Sequence, residues 1–139
     1  MENYKQRIAD KILDKKLKGK GAVVIQGPKG CGKTTTCIRD LRVYAESING
    51  NVYHYRDSSG LECDAVIHLR NGSYGLIEIK LGGDNLINEG ANNLKKVASK
   101  IDTTKMKNPS FLMVLTATGK YSYKREDGVY VVPIGCLKN

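Results

Sequence analysis

LECDAVIHLRNGSYGLIEIKL, residues 61–81, contains two strand patterns separated by a turn. The odd-numbered positions of both runs are apolar or glycine, as they would be on one buried face of two strands. The two apolar sets face each other only if Arg70–Gly72 forms a three-residue loop with Gly72 in the left-handed conformation. This register predicts the antiparallel pairs Ala65 with Ile77, Cys63 with Ile79, and Leu61 with Leu81.

The same register brings ionisable side chains together on the other face. Asp64 is predicted to lie across from Glu78, and Glu62 across from Lys80. Because facing carboxylates destabilise a sheet by roughly 0.2–1 kcal/mol, we expect Mg²⁺ or Mn²⁺ to bind both, with waters and a backbone carbonyl near Ile79. Lys80 would then orient or activate a water for attack on a phosphodiester. The alternative is a solvated or proton-sharing carboxylate pair beside a cross-strand ion pair of Glu62 and Lys80.

Periodicity and turn residues predict the remaining elements. Helical spacing predicts helices from Tyr4 to Leu17, from Lys33 to about Ile48, and from the capping residue Asp84 to Ile101, while strand patterns cover Ala22–Gln26, Val52–Arg56, Phe111–Ala117, Tyr121–Lys124 and Val129–Val132. The continuous apolar run Phe111–Ala117 is typical of a strand covered on both faces. The turn residues 125–128 predict a hairpin between the last two strands. Together these elements predict an α/β fold.

A phosphate-binding motif stands near the start of the chain. The segment Gly27–Thr34 matches G-x-x-x-x-G-K-[ST], after a predicted strand and before a predicted helix. Backbone N–H groups of Gly27, Gly30, Cys31 and Gly32 would surround a phosphate, Lys33 would reach the outer phosphates of ATP, and the Thr34 hydroxyl would bind magnesium. No strand ends in the carboxylate that ATP hydrolysis also needs, so we expect binding of ATP or phosphate without hydrolysis. The alternative is a glycine-rich turn without a ligand.

Size and charge limit the class of protein. The 139 residues fit one domain, and the formal net charge of +9 favours polyanionic partners such as nucleic acid, although a lysine-rich helix is also an ordinary solvated face. No apolar run approaches the length of a membrane span and no signal-peptide pattern is present, so we expect no membrane partner and a cytoplasmic protein. The cysteine spacing predicts reduced thiols rather than a zinc site. The oligomeric state is left open, and a homodimer is compatible with the sequence.

Several of these segments resemble known families. Asp64, followed after a hairpin by Glu78-Ile79-Lys80, is similar to the D…(D/E)-x-K signature of the PD-(D/E)XK nuclease superfamily. The predicted order of helix, three-stranded meander, helix, strand and C-terminal hairpin resembles the restriction-endonuclease-like core, here preceded by a helix-strand-P-loop segment. Three further segments resemble the uncharacterised C-terminal domain of predicted prokaryotic AAA-type ATPases: Arg39–Tyr44, His54–Glu62 and Glu126–Pro133. The opening 36 residues, especially Gly21–Thr36, resemble the N-terminus of the same family.

The resemblance implies a domain division and a function. Residues 1–36 would be a remnant of the P-loop ATPase N-terminus, and residues 37–139 a metal-dependent nuclease-like domain acting on DNA. Asp64 and Glu78 would be metal ligands and Lys80 the catalytic lysine, in an active or a vestigial site.

The chain also departs from that family. A long ATPase and linker region there separates the phosphate loop from the nuclease-like domain, whereas the two are joined near Thr34 here. The alignment also places Thr34 where the family commonly has an acidic residue, which leaves one metal-site carboxylate missing. Two alternatives therefore stay open: an ATP-binding remnant with the sheet as scaffold, and a basic non-enzymatic module that binds nucleic acid or a partner chain.

Overall fold

The computed structural model describes the backbone of residues 32–137 and the side chains of residues 36–137. The helices and strands of this part of the chain are α1 (Gly32–Ser47), β1 (Gly50–Arg56), β2 (Glu62–Leu69), β3 (Tyr74–Lys80), α2 (Asp84–Ser99), β4 (Phe111–Thr116), β5 (Tyr123–Lys124) and β6 (Tyr130–Pro133), followed by a 3₁₀ turn at Ile134–Cys136. The predicted order of elements from residue 33 onward is confirmed. The predicted helix Tyr4–Leu17, the strand Ala22–Gln26 and the loop residues 27–31 lie outside the described residues.

The strands form one mixed sheet in the order β1-β2-β3-β4-β6-β5. β1, β2 and β3 make an antiparallel meander, β4 is parallel to both β3 and β6, and β5 is antiparallel to β6. A parallel pair needs a long crossover, which α2 supplies between β3 and β4. The predicted C-terminal hairpin is confirmed, with Tyr123 opposite Val131 and Lys124 opposite Tyr130.

One helix covers each face of this sheet. On the α1 face the buried side chains are Cys37, Leu41, Ala45, Ala65, Ile67, Ile77 and Leu115. On the α2 face they are Cys63, Tyr74, Leu76, Ile87, Ala91, Leu94, Val97, Val114, Val129 and Val131. The neighbours Val114 and Leu115 are fully buried on opposite faces, which confirms that β4 is covered on both sides. Both faces of the central strands are thus apolar, and the charged side chains Asp64, Glu78 and Lys80 lie near the strand ends.

The predicted hairpin register is confirmed over most of its length. Ala65 pairs with Ile77, and the ladder continues to His68 with Tyr74. Gly72 has φ 85°, the left-handed conformation that the three-residue loop requires and that glycine adopts at little cost. The pairing therefore follows from matching the two apolar faces across a loop of the right length.

The register prediction is wrong at the far end of the hairpin. The β2–β3 ladder ends at Ala65 and Ile77, so Cys63 does not pair with Ile79, nor Leu61 with Leu81. Cys63 instead packs on the α2 face, where the carbonyl oxygens of Ala65 and Ile77, each 3.3 Å from its sulfur, share its single S–H donor. Side chain-to-backbone hydrogen bonds of Asp64 and Glu78 replace the ladder at this point, as the next subsection describes.

The start of α2 also differs from the prediction. The helix begins at Asp84, and the capping position is Gly83, which has φ 88° and offers no side chain. Asp84 therefore does not cap the helix, although its negative charge in the first turn remains favourable next to the helix dipole. Neither helix of the described residues has the length and apolarity of a membrane-crossing segment.

Candidate functional site

A cleft of about 640 Å³ opens at the end of the β2–β3 hairpin that lies opposite its loop. The first residues of β2 and the last residues of β3 line one side of the cleft, and α2 lines another. Its charged and amide-bearing lining residues are Glu62, Asp64, Glu78, Lys80, Glu89, Asn92, Asn93 and Lys96. The three residues predicted to be catalytic, Asp64, Glu78 and Lys80, are therefore brought together at one cavity, and Ile79 also lines it.

Asp64 and Glu78 each accept a hydrogen bond from a backbone N–H of the opposite strand. Asp64 Oδ2 accepts a hydrogen bond of 2.8 Å from the Ile79 N–H, and Glu78 Oε1 accepts one of 3.2 Å from the Asp64 N–H. These bonds occupy one oxygen of each carboxylate. Within the described residues no hydrogen bond engages Asp64 Oδ1 or Glu78 Oε2.

Burial perturbs both carboxylates. Glu78 is only 5% exposed, and burial together with the negative charge of Asp64 raises the pKa of Glu78 to about 7. Burial also raises the pKa of Asp64, against the opposing effects of the Ile79 N–H and Lys80. A freely solvated pair does not fit this degree of burial. A proton or a cation is needed to compensate two negative charges in such a site.

Lys80 points to α2 rather than to β2. Its ammonium lies 3.0 Å from Glu89 Oε1 and 4.0 Å from Glu78 Oε2. The prediction that Lys80 faces Glu62 is therefore wrong, and the ion pair of the alternative interpretation is not formed: Glu62 lies opposite Arg56 in the β1–β2 ladder, and its carboxylate lies 3.7 Å from His54 Nε2. The ladder ends before Glu62 and Lys80 could face each other, and Glu89 is the nearer acid.

Two residues of α2 also belong to the site, and the strand patterns did not predict either of them. Asn93 Nδ2 donates to Glu78 Oε1 at 3.0 Å and to the Glu62 carbonyl oxygen at 2.7 Å, and Glu89 binds Lys80. Their signal in the sequence is a second stripe on the helix. Glu89, Asn93 and Lys96 recur at three- and four-residue spacing beside the apolar stripe and share one side of the helix.

The cleft offers carboxylate oxygens, the kind of ligand that Mg²⁺ prefers. Within residues 36–137 no group of three or more His, Cys, Asp or Glu side chains has a geometry suited to a metal ion. Mg²⁺ is commonly held by only one or two carboxylates, with waters and substrate phosphates completing its shell. Asp64 Oδ1 and Glu78 Oε2 supply two such hard oxygen donors. The Ile79 carbonyl as a further ligand stays a prediction.

The structure describes no side chain of the predicted nucleotide-binding residues. Gly27, Gly30 and Cys31 lie outside the described residues, and Gly32, Lys33 and Thr34 are described only as backbone in the first turn of α1. Binding of ATP or phosphate by the loop therefore stays a prediction, as does the division of the chain at residue 36. Among the described side chains of α1, that of Cys37 lines the cleft.

Comparison with known proteins places the chain in a family. A family model described as a domain of unknown function (DUF4143) matches residues 34–137. No curated protein and no solved structure is significantly similar to the chain. The match is consistent with the resemblance to the uncharacterised C-terminal domain of AAA-type ATPases. Because it spans most of the 139 residues, the chain belongs to the DUF4143 family.

Proposed function

We propose that this chain is a PD-(D/E)XK nuclease-like protein that acts on DNA phosphodiesters with Mg²⁺ or Mn²⁺. The observation that carries the proposal is the convergence of Asp64, Glu78 and Lys80 on one cleft, with one oxygen of each carboxylate free of hydrogen bonds from the described residues. Placing a buried acid and a half-buried acid side by side costs folding free energy, and a catalytic role explains why the site has this composition.

The topology supports the same proposal. A helix, an antiparallel meander, a crossover helix and a parallel fourth strand follow in the order of the restriction-endonuclease-like core. The acidic residues stand where β2 and β3 stop pairing with each other, while β2 still pairs with β1 and β3 still pairs with β4. The cleft between these two strand ends is open to a polymer substrate, whereas the covered faces of the sheet are not.

The roles of the three side chains follow from their positions. Asp64 Oδ1 and Glu78 Oε2 would hold the cation, and their other oxygens are kept in place by backbone N–H groups. A bound Mg²⁺ lowers the pKa of a coordinated water and stabilises negative charge on a phosphate. The Lys80 ammonium, 4.0 Å from Glu78 Oε2, is placed to hold a water or a phosphate oxygen beside that carboxylate.

Charge supports DNA as the substrate. The chain carries a formal net charge of +9, and Lys96 lines the cleft without an ion-pair partner among the described residues. A phosphodiester backbone that enters the cleft would meet Lys96 on α2 and Lys80 at the end of β3. A small neutral substrate would gain little from this arrangement.

Nicking of supercoiled plasmid in the presence of Mn²⁺ tests the proposal. We expect Asp64→Asn and Lys80→Gln each to lower the nicking rate by about 100-fold or more, the loss typical of removing a group that acts in the transition state. Glu126→Gln and Lys95→Gln remove the same charges outside the cleft and should nick at the wild-type rate. Equal rates for the wild type, Asp64→Asn and Lys80→Gln would contradict the proposal.

A further inference from the structure

Asn93 occupies an unusual position for an amide in the middle of a helix. It lies half-buried on α2, one residue before the fully buried Leu94, and its side chain is directed across the cleft to the hairpin. A polar group at the margin of a helix-sheet contact normally reaches solvent unless a specific partner holds it. Here the partners are the Glu62 carbonyl oxygen and Glu78 Oε1.

The two contacts fix the orientation of the Asn93 amide. Both partners are hydrogen-bond acceptors, so only the NH₂ group can face them, and each takes one of its two hydrogens. The bonds measure 2.7 Å to the Glu62 carbonyl and 3.0 Å to Glu78 Oε1. The amide therefore ties the end of β2 to the end of β3 through α2.

Asn93 also decides which Glu78 oxygen is available. Glu78 Oε1 receives hydrogen bonds from both the Asn93 amide and the Asp64 N–H, whereas Glu78 Oε2 receives none from the described residues and faces the Lys80 ammonium at 4.0 Å. A carboxylate held through one oxygen by two donors cannot rotate without breaking both bonds. Its second oxygen is thereby presented to the cleft.

We propose that Asn93 is a positioning residue that holds Glu78 Oε1 so that Oε2 is presented as a ligand for a divalent cation. This inference rests on the proposed function, because it names the group that orients one of the two metal-binding carboxylates. Groups that hydrogen-bond to metal ligands typically strengthen metal affinity by about 10–100-fold. Asn93 would contribute in this way without itself touching the cation.

Mn²⁺ affinity of the full chain, measured at pH 8 by electron paramagnetic resonance of the free ion, tests the role. Asn93→Leu has nearly the same size but lacks the amide, and we expect about 10- to 100-fold weaker binding. Asn92→Leu is the matched control, since Asn92 lines the same cleft but makes no side-chain hydrogen bond within the described residues. Wild-type affinity in Asn93→Leu would overturn the inference, and lower thermal stability with unchanged affinity would show a merely structural role.

A second measurement needs neither a metal nor a folded Asn93 variant. In the metal-free chain we expect Glu78→Gln to shift the side-chain amide resonances of Asn93 and to leave those of Asn92 in place. Unmoved Asn93 resonances would overturn the inference. If the wild type binds no Mn²⁺ while the Asn93 resonances do shift, the metal-dependent function is wrong but the hydrogen bond from Asn93 to Glu78 is supported. The two failures are therefore distinguishable.

Discussion

Glu78 is the one buried carboxylate among the described residues. The free energy of its ionised form depends on the groups around it. Removing an ionised carboxylate from water is costly unless hydrogen bonds and opposite charge replace the lost solvation. Asn93, the Asp64 N–H and Lys80 supply part of this replacement, and Asp64 opposes it. The protonation of Glu78 should therefore influence folding as well as ligand binding.

Stability of the metal-free protein should fall between about pH 4.5 and pH 7. The pKa of Glu78 rises from 4.5 to about 7 on folding, so the folded chain binds more protons in this window and loses that advantage as the pH rises. The full loss is about 3 kcal/mol in the free energy of unfolding. Urea unfolding at pH 5, 6 and 7 in EDTA measures it.

The matched variants separate this effect from other titrations. Glu78→Gln cannot ionise and should show a much flatter profile between pH 5 and 7, whereas Glu126→Gln should keep the wild-type slope. The lowered pKa values of Asp57 and Asp102 affect stability only below their ordinary value of 3.8, outside this window, whereas the raised pKa of Asp64 adds to the slope in both the wild type and Glu78→Gln. Parallel profiles for the wild type and Glu78→Gln would contradict the account.

For single residues, the sequence predicted that Asp64 and Glu78 lie together, but it did not predict the α2 residues that contact Glu78 and Lys80. Strand alternation placed Asp64 and Glu78 together because the two strands are close in sequence and one loop fixes their register. The partner of Lys80 is Glu89 on α2, which no strand pattern can indicate. Reasoning from the β2–β3 register alone therefore placed Lys80 across from Glu62.

The β2–β3 hairpin is the element on which the site depends. Its apolar alternation and the left-handed Gly72 were sufficient to predict the pairs from Ala65–Ile77 to His68–Tyr74. They failed at Cys63, because hydrogen bonds between side chains and backbone end the ladder there. Alternation predicts cross-strand pairs only while the two strands stay paired with each other, and the pairing of β2 with β3 stops before the end that lines the cleft.

The start of β3 should be sensitive to a single methyl group. Gly75 pairs with Phe111 across the parallel β3–β4 contact, and a Cβ built at Gly75 would overlap the Phe111 ring. We expect Gly75→Ala to lower the free energy of unfolding by about 1–3 kcal/mol through overpacking. Chemical denaturation measures the loss.

The ring contact can be tested by a double variant. Gly75→Ala combined with Phe111→Leu should lose less than the sum of the two single losses, because the smaller side chain leaves room for the methyl group. Gly135→Ala is the control, since nothing lies within 4 Å of a Cβ at Gly135. Strict additivity would show that overlap with Phe111 is not the cause.

Residues 32–137 form two apolar cores on the faces of the sheet and a polar cleft beside them. α1 and α2 cover opposite faces of the sheet, and the cleft lies at the strand ends between the hairpin and α2. The sequence predicted the elements and their order, because each has a local pattern. It did not predict the cleft, because placing Glu89, Asn93 and Lys96 beside Asp64 depends on how the crossover helix packs.

DNA affinity of the whole chain should fall steeply with salt, because binding to phosphates releases counterions. Lys96 lines the cleft, so Lys96→Gln should reduce the slope of log affinity against log salt by about 0.9 if it contacts one phosphate. Lys95→Gln is the neighbouring control, since Lys95 is already paired with Asp127 at 2.9 Å. Fluorescence anisotropy with a labelled duplex in Ca²⁺ gives both slopes, and a flat salt response would contradict a DNA-binding cleft.

Anomalous scattering from a crystal soaked in Mn²⁺ at pH 8 tests the central claim most directly. The account predicts a manganese peak in the cleft, at about 2.1 Å from Asp64 Oδ1 and Glu78 Oε2, and no such peak in Asp64→Asn crystals. A well-ordered cleft without manganese, or manganese bound only at other carboxylates, would contradict it.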